Sequence, residues 1–248
     1  RQVGDFDLEM SDLDLVKFAP YYRQALPGKL GSASLNLNLE VQMQKKSVES
    51  KGRVLLEKLD LALNDYPEAS LKQASLGLDY ALNYNMTQQK LKLSTLLLNF
   101  NDANIGAEGT VELAGKEPKL ALALLFDKLD LHALVDALPK GLNKNIRPYR
   151  LAGVVDGRVD LSGSPSDGAK LLRSAEIELV DVVANVDKLR AGVSGRINLA
   201  DQRAEAKPLV LDLDGQKAQL EFVAENLFGE KIRGEFKLSA NQLDLNPF

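Results

Sequence analysis

Residues 35–44 read Leu35-Asn36-Leu37-Asn38-Leu39-Glu40-Val41-Gln42-Met43-Gln44. Every odd position is apolar and every even one polar. Successive side chains leave a strand on opposite sides, so this period of two describes a β-strand with one apolar and one wet face. A helix would scatter the same leucines around its whole circumference. The pattern continues outward from this stretch. Val54 and Leu56 lead to Leu59, Leu61 and Leu63, opposed by Lys58, Asp60 and Asn64. Leu76, Leu78, Tyr80, Leu82 and Tyr84 face away from Asp79, Asn83 and Asn85. Leu91 and Leu93 run into Leu96, Leu98 and Phe100, where the phase slips by one and a β-bulge is predicted.

Beyond a turn at Asn101–Asn104, Ile105, Ala107, Gly109, Val111 and Leu113 share a face. The alternation resumes at Leu120, Leu122 and Leu124, then at Leu151, Val155, Val159 and Leu161 with Gly153 and Gly157 in phase. Ile177, Leu179, Val193, Ile197, Leu199, Leu209–Leu213, Leu220, Phe222, Ile232, Phe236 and Leu238 carry it to the end. Loops are expected at 115–118, 140–145 and 162–168. Roughly a dozen strands with very little helix predict an all-β protein with a few short helices.

One unit recurs. Leu13-Asp14-Leu15, Leu129-Asp130-Leu131 and Leu243-Asp244-Leu245 stand 116 and then 114 positions apart, each behind a strand-like run. Val16–Ala19 and His132–Val135 continue the first two with helical character. Asp is a good N-cap, and an apolar residue before it packs on the first turn. The unit therefore reads as structural punctuation that turns the chain and plugs one end of a sheet. Leu59-Asp60-Leu61 and Leu211-Asp212-Leu213 repeat the letters with no helical run behind them. Such spacing divides the chain into a first module at 1–118 and a second at 119–248.

Composition narrows the function. A net charge of −4, spread along 248 residues, lacks the basic face that nucleic acid requires. With no cysteine, thiolate metal sites and Cys nucleophiles are excluded. No apolar run is long enough to span a bilayer as a helix. Both ends read as cuts through a longer repeating polypeptide, so an anchor or targeting segment is expected outside this stretch.

The chemistry-bearing residues are sparse. His132, the sole histidine, lies beside Asp130 and Asp136 but occupies a position filled by Val16 and Asn246 in the other copies of the unit. Glu176 and Glu178 lie two apart, as a carboxylate pair would need, but an exposed polar face explains them better. Asp102 and Asn104 lack the ligand spacing of a calcium loop. Asn85-Met86-Thr87 has the letters of a glycosylation sequon inside a predicted strand. No phosphate loop, nucleophile elbow or metal cluster is present, so the expectation is a non-enzyme with no catalytic residues, no metal and no cofactor.

A dozen strands, each apolar on one side, carry more apolar surface than two or three short helices can cover. At roughly 25 cal/mol per Å² such a face does not stay in water without cause. It closes into a barrel, pairs as a sandwich, or meets an apolar ligand.

At the recurring units the sequence resembles the AsmA-like proteins, a group that includes TamB-type members. The likeness rests on Phe6–Leu15 (FDLEMSDLDL) followed by Phe18–Tyr22 (FAPYY), on Leu124–Leu131 (LLFDKLDL), on Gly234–Phe248 (GEFKLSANQLDLNPF), and on the return strand Gly28–Leu39 (GKLGSASLNLNL). The resemblance implies a long, strongly curved antiparallel sheet, an open U-shaped hydrophobic groove of about two repeat modules. It also implies a bacterial envelope protein that is periplasmic and held in the inner membrane by an anchor outside this stretch. Phospholipid would be its cargo, conducted between inner and outer membranes, and envelope or outer-membrane proteins its partners.

On that reading the groove lining is Leu35, Leu37, Leu39, Leu76, Leu78, Tyr80, Leu82, Ile105, Val111, Leu122, Leu124, Val155, Val159, Ile197, Leu220, Phe222 and Phe236. Bound phospholipid or another acyl lipid is the expected ligand, with Tyr21, Tyr22 and Arg23 placed either at headgroup level or, as is more common for such residues, capping a hydrophobic end. The alternative is a closed β-sandwich or spacer that presents its surface in outer-membrane assembly and carries no lipid.

Overall fold

A computed structural model describes residues 3–22, 28–64, 70–101, 103–138, 143–186, 189–229 and 231–240. The third copy of the recurring unit, Leu243, Asp244 and Leu245, lies outside them, as do Arg23 and Asp102. The chain falls into two compact units, 1–118 with 133–145, and 119–132 with 146–248.

The first unit contains β1 (Gly4–Asp14), β2 (Gly28–Met43), β3 (Ser47–Leu63), β4 (Leu71–Asn85), β5 (Lys90–Phe100) and β6 (Ala103–Glu112). The second contains β7 (Lys119–Asp130), β8 (Ala152–Gly163), β9 (Leu172–Val186), β10 (Leu189–Ala200), β11 (Arg203–Leu213), β12 (Gln216–Glu225) and β13 (Arg233–Ala240). In each unit the strands form an antiparallel meander in chain order, and the sheet is open rather than closed on itself. Helix is scarce: a 3₁₀ turn at Leu15–Phe18 runs into α1 (Ala19–Tyr22), and α2 spans Leu131–Ala137. Arg147–Tyr149 and Pro165–Leu171 form further 3₁₀ turns.

The all-β reading holds, and the closed alternative does not. Among the described residues, strands pack on their hydrogen-bonded neighbours, with no second sheet stacked on either face within a unit. A compact monomer of this mass would expose about 10,900 Å², and two compact domains of half that mass about 13,100 Å² together. The chain exposes 16540 Å². Among the described residues no large side chain is fully buried, and most of the buried hydrophobic residues are alanines. A sandwich or barrel of this length would enclose many leucines.

The predicted bulge in β5 is present, where pairing with β6 slips between Leu93 and Leu96. Similar slips stand between Met10 and Leu13 in β1 and between Leu56 and Leu59 in β3. The bulged Asp12 and Lys58 take left-handed backbone, as does Gln73 in β4. A non-glycine residue there needs compensation, and nearby polar side chains supply it. The Asp12 N–H donates to Asn36 Oδ1 at 2.9 Å, and the Gln73 N–H donates to Asp60 Oδ1 at 2.8 Å.

Just past these bulges lies the first unit's small core. Ala33, Leu59 and Ala74 are buried, with Leu15, Leu30, Leu61, Leu71 and Phe100 packed around them. Leu15 comes from the 3₁₀ turn, so the turn covers this end of the sheet. Asp14 caps that turn by accepting from the Val16 N–H at 3.0 Å, and Asp130 accepts from the His132 N–H at 2.8 Å. The Tyr22 hydroxyl closes the first turn onto the Leu15 carbonyl at 2.7 Å. Asn143 is a buried residue of the segment read as a loop. Its Nδ2 donates to the carbonyls of Val135 and Leu138 at the end of α2.

Candidate functional site

Register, traced strand by strand, decides which side chains share a face. In the first unit Met10, Leu37, Val54, Leu78, Leu98 and Ile105 form one continuous row across all six strands. Leu35 with Leu56 and Leu76 forms the row on one side of it. Leu39, Gly52, Tyr80 and Leu96 form the row on the other. Leu82 and Val111 extend the same face toward the β2–β3 and β4–β5 hairpins. Every first-unit residue expected to line a groove thus stands on one face.

The second unit repeats the arrangement. Leu124, Val159, Ala175, Leu199, Ala204 and Ala224 make one row from β7 to β12. Leu122 with Leu161 stands beside it, as do Phe126 with Gly157, Ile177, Ile197 and Ala206. Phe222 and Leu220 belong to this face and pair with Phe236 and Leu238 of β13. Val155 joins them opposite Leu129. The edge strand leaves Phe236 80% exposed.

These faces are half-buried along their length, with no layer of described residues over them. Leu98 is 41% exposed and Met43 42%. In the first unit, five strand spacings of about 4.8 Å and eight residue steps of about 3.3 Å give a field of roughly 24 by 26 Å. That projects to about 600 Å², the upper end for the largest apolar patch on an ordinary monomer. The field is not uniformly aliphatic. Gly52 has no side chain, and the Tyr80 ring occupies that space, 3.1 Å from where a Cβ would stand. The Tyr80 hydroxyl meets Ser50 Oγ at 3.2 Å, so its polar end is partnered within the same face.

The opposite faces are wet and charged. In the second unit Arg196 pairs with both Glu176 and Glu178, at 3.0 and 3.1 Å. The two carboxylates do share a side, as their spacing predicts, and one guanidinium spans them. Asp160 is held below the usual carboxylate range, mainly by the Ser174 hydroxyl at 2.7 Å and also by Arg158. In the first unit Asp60 is lowered in the same sense by the Gln73 N–H and then by the Ser32 hydroxyl. Lys51 is raised by its hydrogen bond to Glu40, at 2.8 Å. These are exposed structural pairings.

Asn85 ends β4 rather than sitting inside it, and its Oδ1 accepts from the N–H groups of Thr87 and Gln88. The sequon letters are a turn cap. Among the described residues no helix is long and apolar enough to cross a membrane. Sequence reading missed the Lys58-Leu59-Asp60 kink as a partner of the recurring unit; a bulged residue, a buried Leu and a hydrogen-bonding Asp recur at Lys128-Leu129-Asp130. No family model, curated protein or solved structure matches the chain.

Proposed function

We propose that this chain is a lipid-binding segment of a bridge-like envelope protein, in which acyl chains lie against the apolar faces of its open sheets. The observation that carries this reading is the uncovered field itself. Rows of Leu, Val and Ile run across successive strands, and among the described residues no second layer covers them. Flexible hydrocarbon needs width and greasiness rather than convergent polar groups, and this face offers little else. Transfer would be passive, with tails sliding along the sheet and headgroups in water. The AsmA-like resemblance of the recurring units supports the same reading and adds a periplasmic setting with phospholipid as cargo.

The test is direct. Protein purified from a bacterial envelope should carry phospholipid detectable by native mass spectrometry, and a photo-crosslinking residue at position 78 should capture it. Leu78→Asp should strip most of that lipid while leaving the circular dichroism spectrum intact. A lipid-free protein with an unlabelled position 78 would sink the reading. A protein cross-linked there instead would mean that the face docks a partner chain.

A further inference from the structure

β1 ends the first unit's meander and β13 the second's, and among the described residues neither pairs with a strand on its outer side. An unpaired edge offers a row of free N–H and C=O groups to any strand laid along it. The two edges differ in charge. Gly4–Asp14 holds five acids, Asp5, Asp7, Glu9, Asp12 and Asp14, and no base. A second copy of β1 laid along it would set carboxylate against carboxylate, which is destabilising. β13 reads Arg233-Gly234-Glu235-Phe236-Lys237-Leu238-Ser239-Ala240, and all eight residues are exposed.

Symmetry limits how β13 can pair with itself. Opposed side chains of an antiparallel pair point to the same side of the sheet, so a twofold axis passes through a residue and never between two. Axes at Phe236 and at Lys237 are the two that overlap seven of the eight residues. The axis at Lys237 sets that lysine against itself. The axis at Phe236 sets Glu235 of each copy against Lys237 of the other, and Phe236 against Phe236. Leu238, 53% exposed, then meets Gly234, a large side chain opposite none. Within the chain Glu221 already stands opposite Lys237, and Phe222 opposite Phe236. Across the join each Lys237 therefore lies between two carboxylates on the polar side. On the apolar side four phenylalanines stand in one row, and aromatic and opposite-charge cross-strand pairs are both stabilising.

We propose that two copies of this chain pair through β13, antiparallel about a twofold axis at Phe236, so that the second unit's apolar face continues from one copy into the other. The pairing does not depend on what that face carries. An eight-residue edge is a small interface, so the dimer is weak and concentration-dependent.

Sedimentation of the full chain over a range of concentrations should show monomer giving way to dimer and nothing larger. Glu235→Lys should weaken that association by about tenfold, because it places cation opposite cation on both sides of the axis. Lys237→Glu should do the same with carboxylates. Mixed in equal amounts, the two single variants should recover a dimer, and the double variant should recover it alone. Phe236→Ser should weaken pairing with no change of charge, and Asp5→Lys on β1 should leave it unchanged. Circular dichroism and thermal unfolding of each variant check that the sheet is intact. Should Lys237→Glu disturb β12 through Glu221, Glu235→Lys and Phe236→Ser decide the matter. A chain that stays monomeric at every concentration overturns the proposal. So do assemblies that lengthen with concentration, the mark of β1 joining β13 head to tail, and so does a mixture of the single variants that associates no more tightly than either alone.

Discussion

Two apolar regions of the first unit are built from the same residue types and differ in what lies over them. Around Ala33, Leu59 and Ala74 the sheet kinks at its bulges and a 3₁₀ turn seats Leu15 on the bend. Around Leu37, Leu78 and Leu98 the sheet continues and no described element is seated. Leu59 is 6% exposed and Leu98 41%. The difference separates two duties. The capped end contributes stability, and the open field leaves apolar surface uncovered, which is what the proposed lipid binding would use.

The largest expected effect tests that separation. Leu59→Ala should cost about 2–4 kcal/mol, because it removes a buried side chain and leaves a cavity under the turn. Leu129→Ala, also 6% exposed, should do the same in the second unit. Leu78→Ala, by contrast, should cost about 1–2 kcal/mol, since Leu78 is only partly buried. Urea denaturation of the three variants checks the ranking. Equal losses at positions 59 and 78 would mean that the open field is a packed core after all.

A smaller effect comes from the caps. Asp14→Ala and Asp130→Ala each remove the acceptor for a free N–H in the first turn, and each should cost about 1 kcal/mol. Asp14→Asn should restore most of the loss, as a side-chain oxygen remains. If the alanine variants match wild type in urea, the recurring unit owes its position to the leucines alone.

How far the sequence foretold these regions follows from how local each cause is. The strand faces were legible because alternation is a neighbour-to-neighbour property. Leu37 and Leu78 had to share a face once the register was set. The caps at Asp14 and Asp130 were legible because capping acts across two residues. The kink at Lys58 was not. Nothing in a lysine announces left-handed backbone, and what supports the row of kinks is cross-strand, such as Asn36 reaching the Asp12 N–H and Asp60 reaching Gln73. For that reason Leu59-Asp60-Leu61 looked like a chance recurrence of letters. Whether the field was open or covered was equally illegible, since a leucine facing another sheet and a leucine facing solvent or lipid are the same letter.

The smallest effect probes the cross-strand support itself. Asp60 accepts from the Gln73 N–H at 2.8 Å and from the Ser32 hydroxyl at 2.9 Å. These bonds hold its carboxyl below the usual range, the Gln73 bond first. A native value below the unfolded one means that the unfolded chain binds the proton more readily. The stabilisation is therefore fully present above the ordinary Asp range and is lost as pH falls through the lowered native value. Asp60→Asn removes the titration while keeping an acceptor oxygen. The urea midpoint of the wild type should exceed that of the variant near neutral pH, and the two should converge in acid. A gap that stays constant from neutral to acid pH would show that the carboxylate charge does nothing for the kink, leaving Leu59 and Ala74 to hold it by packing.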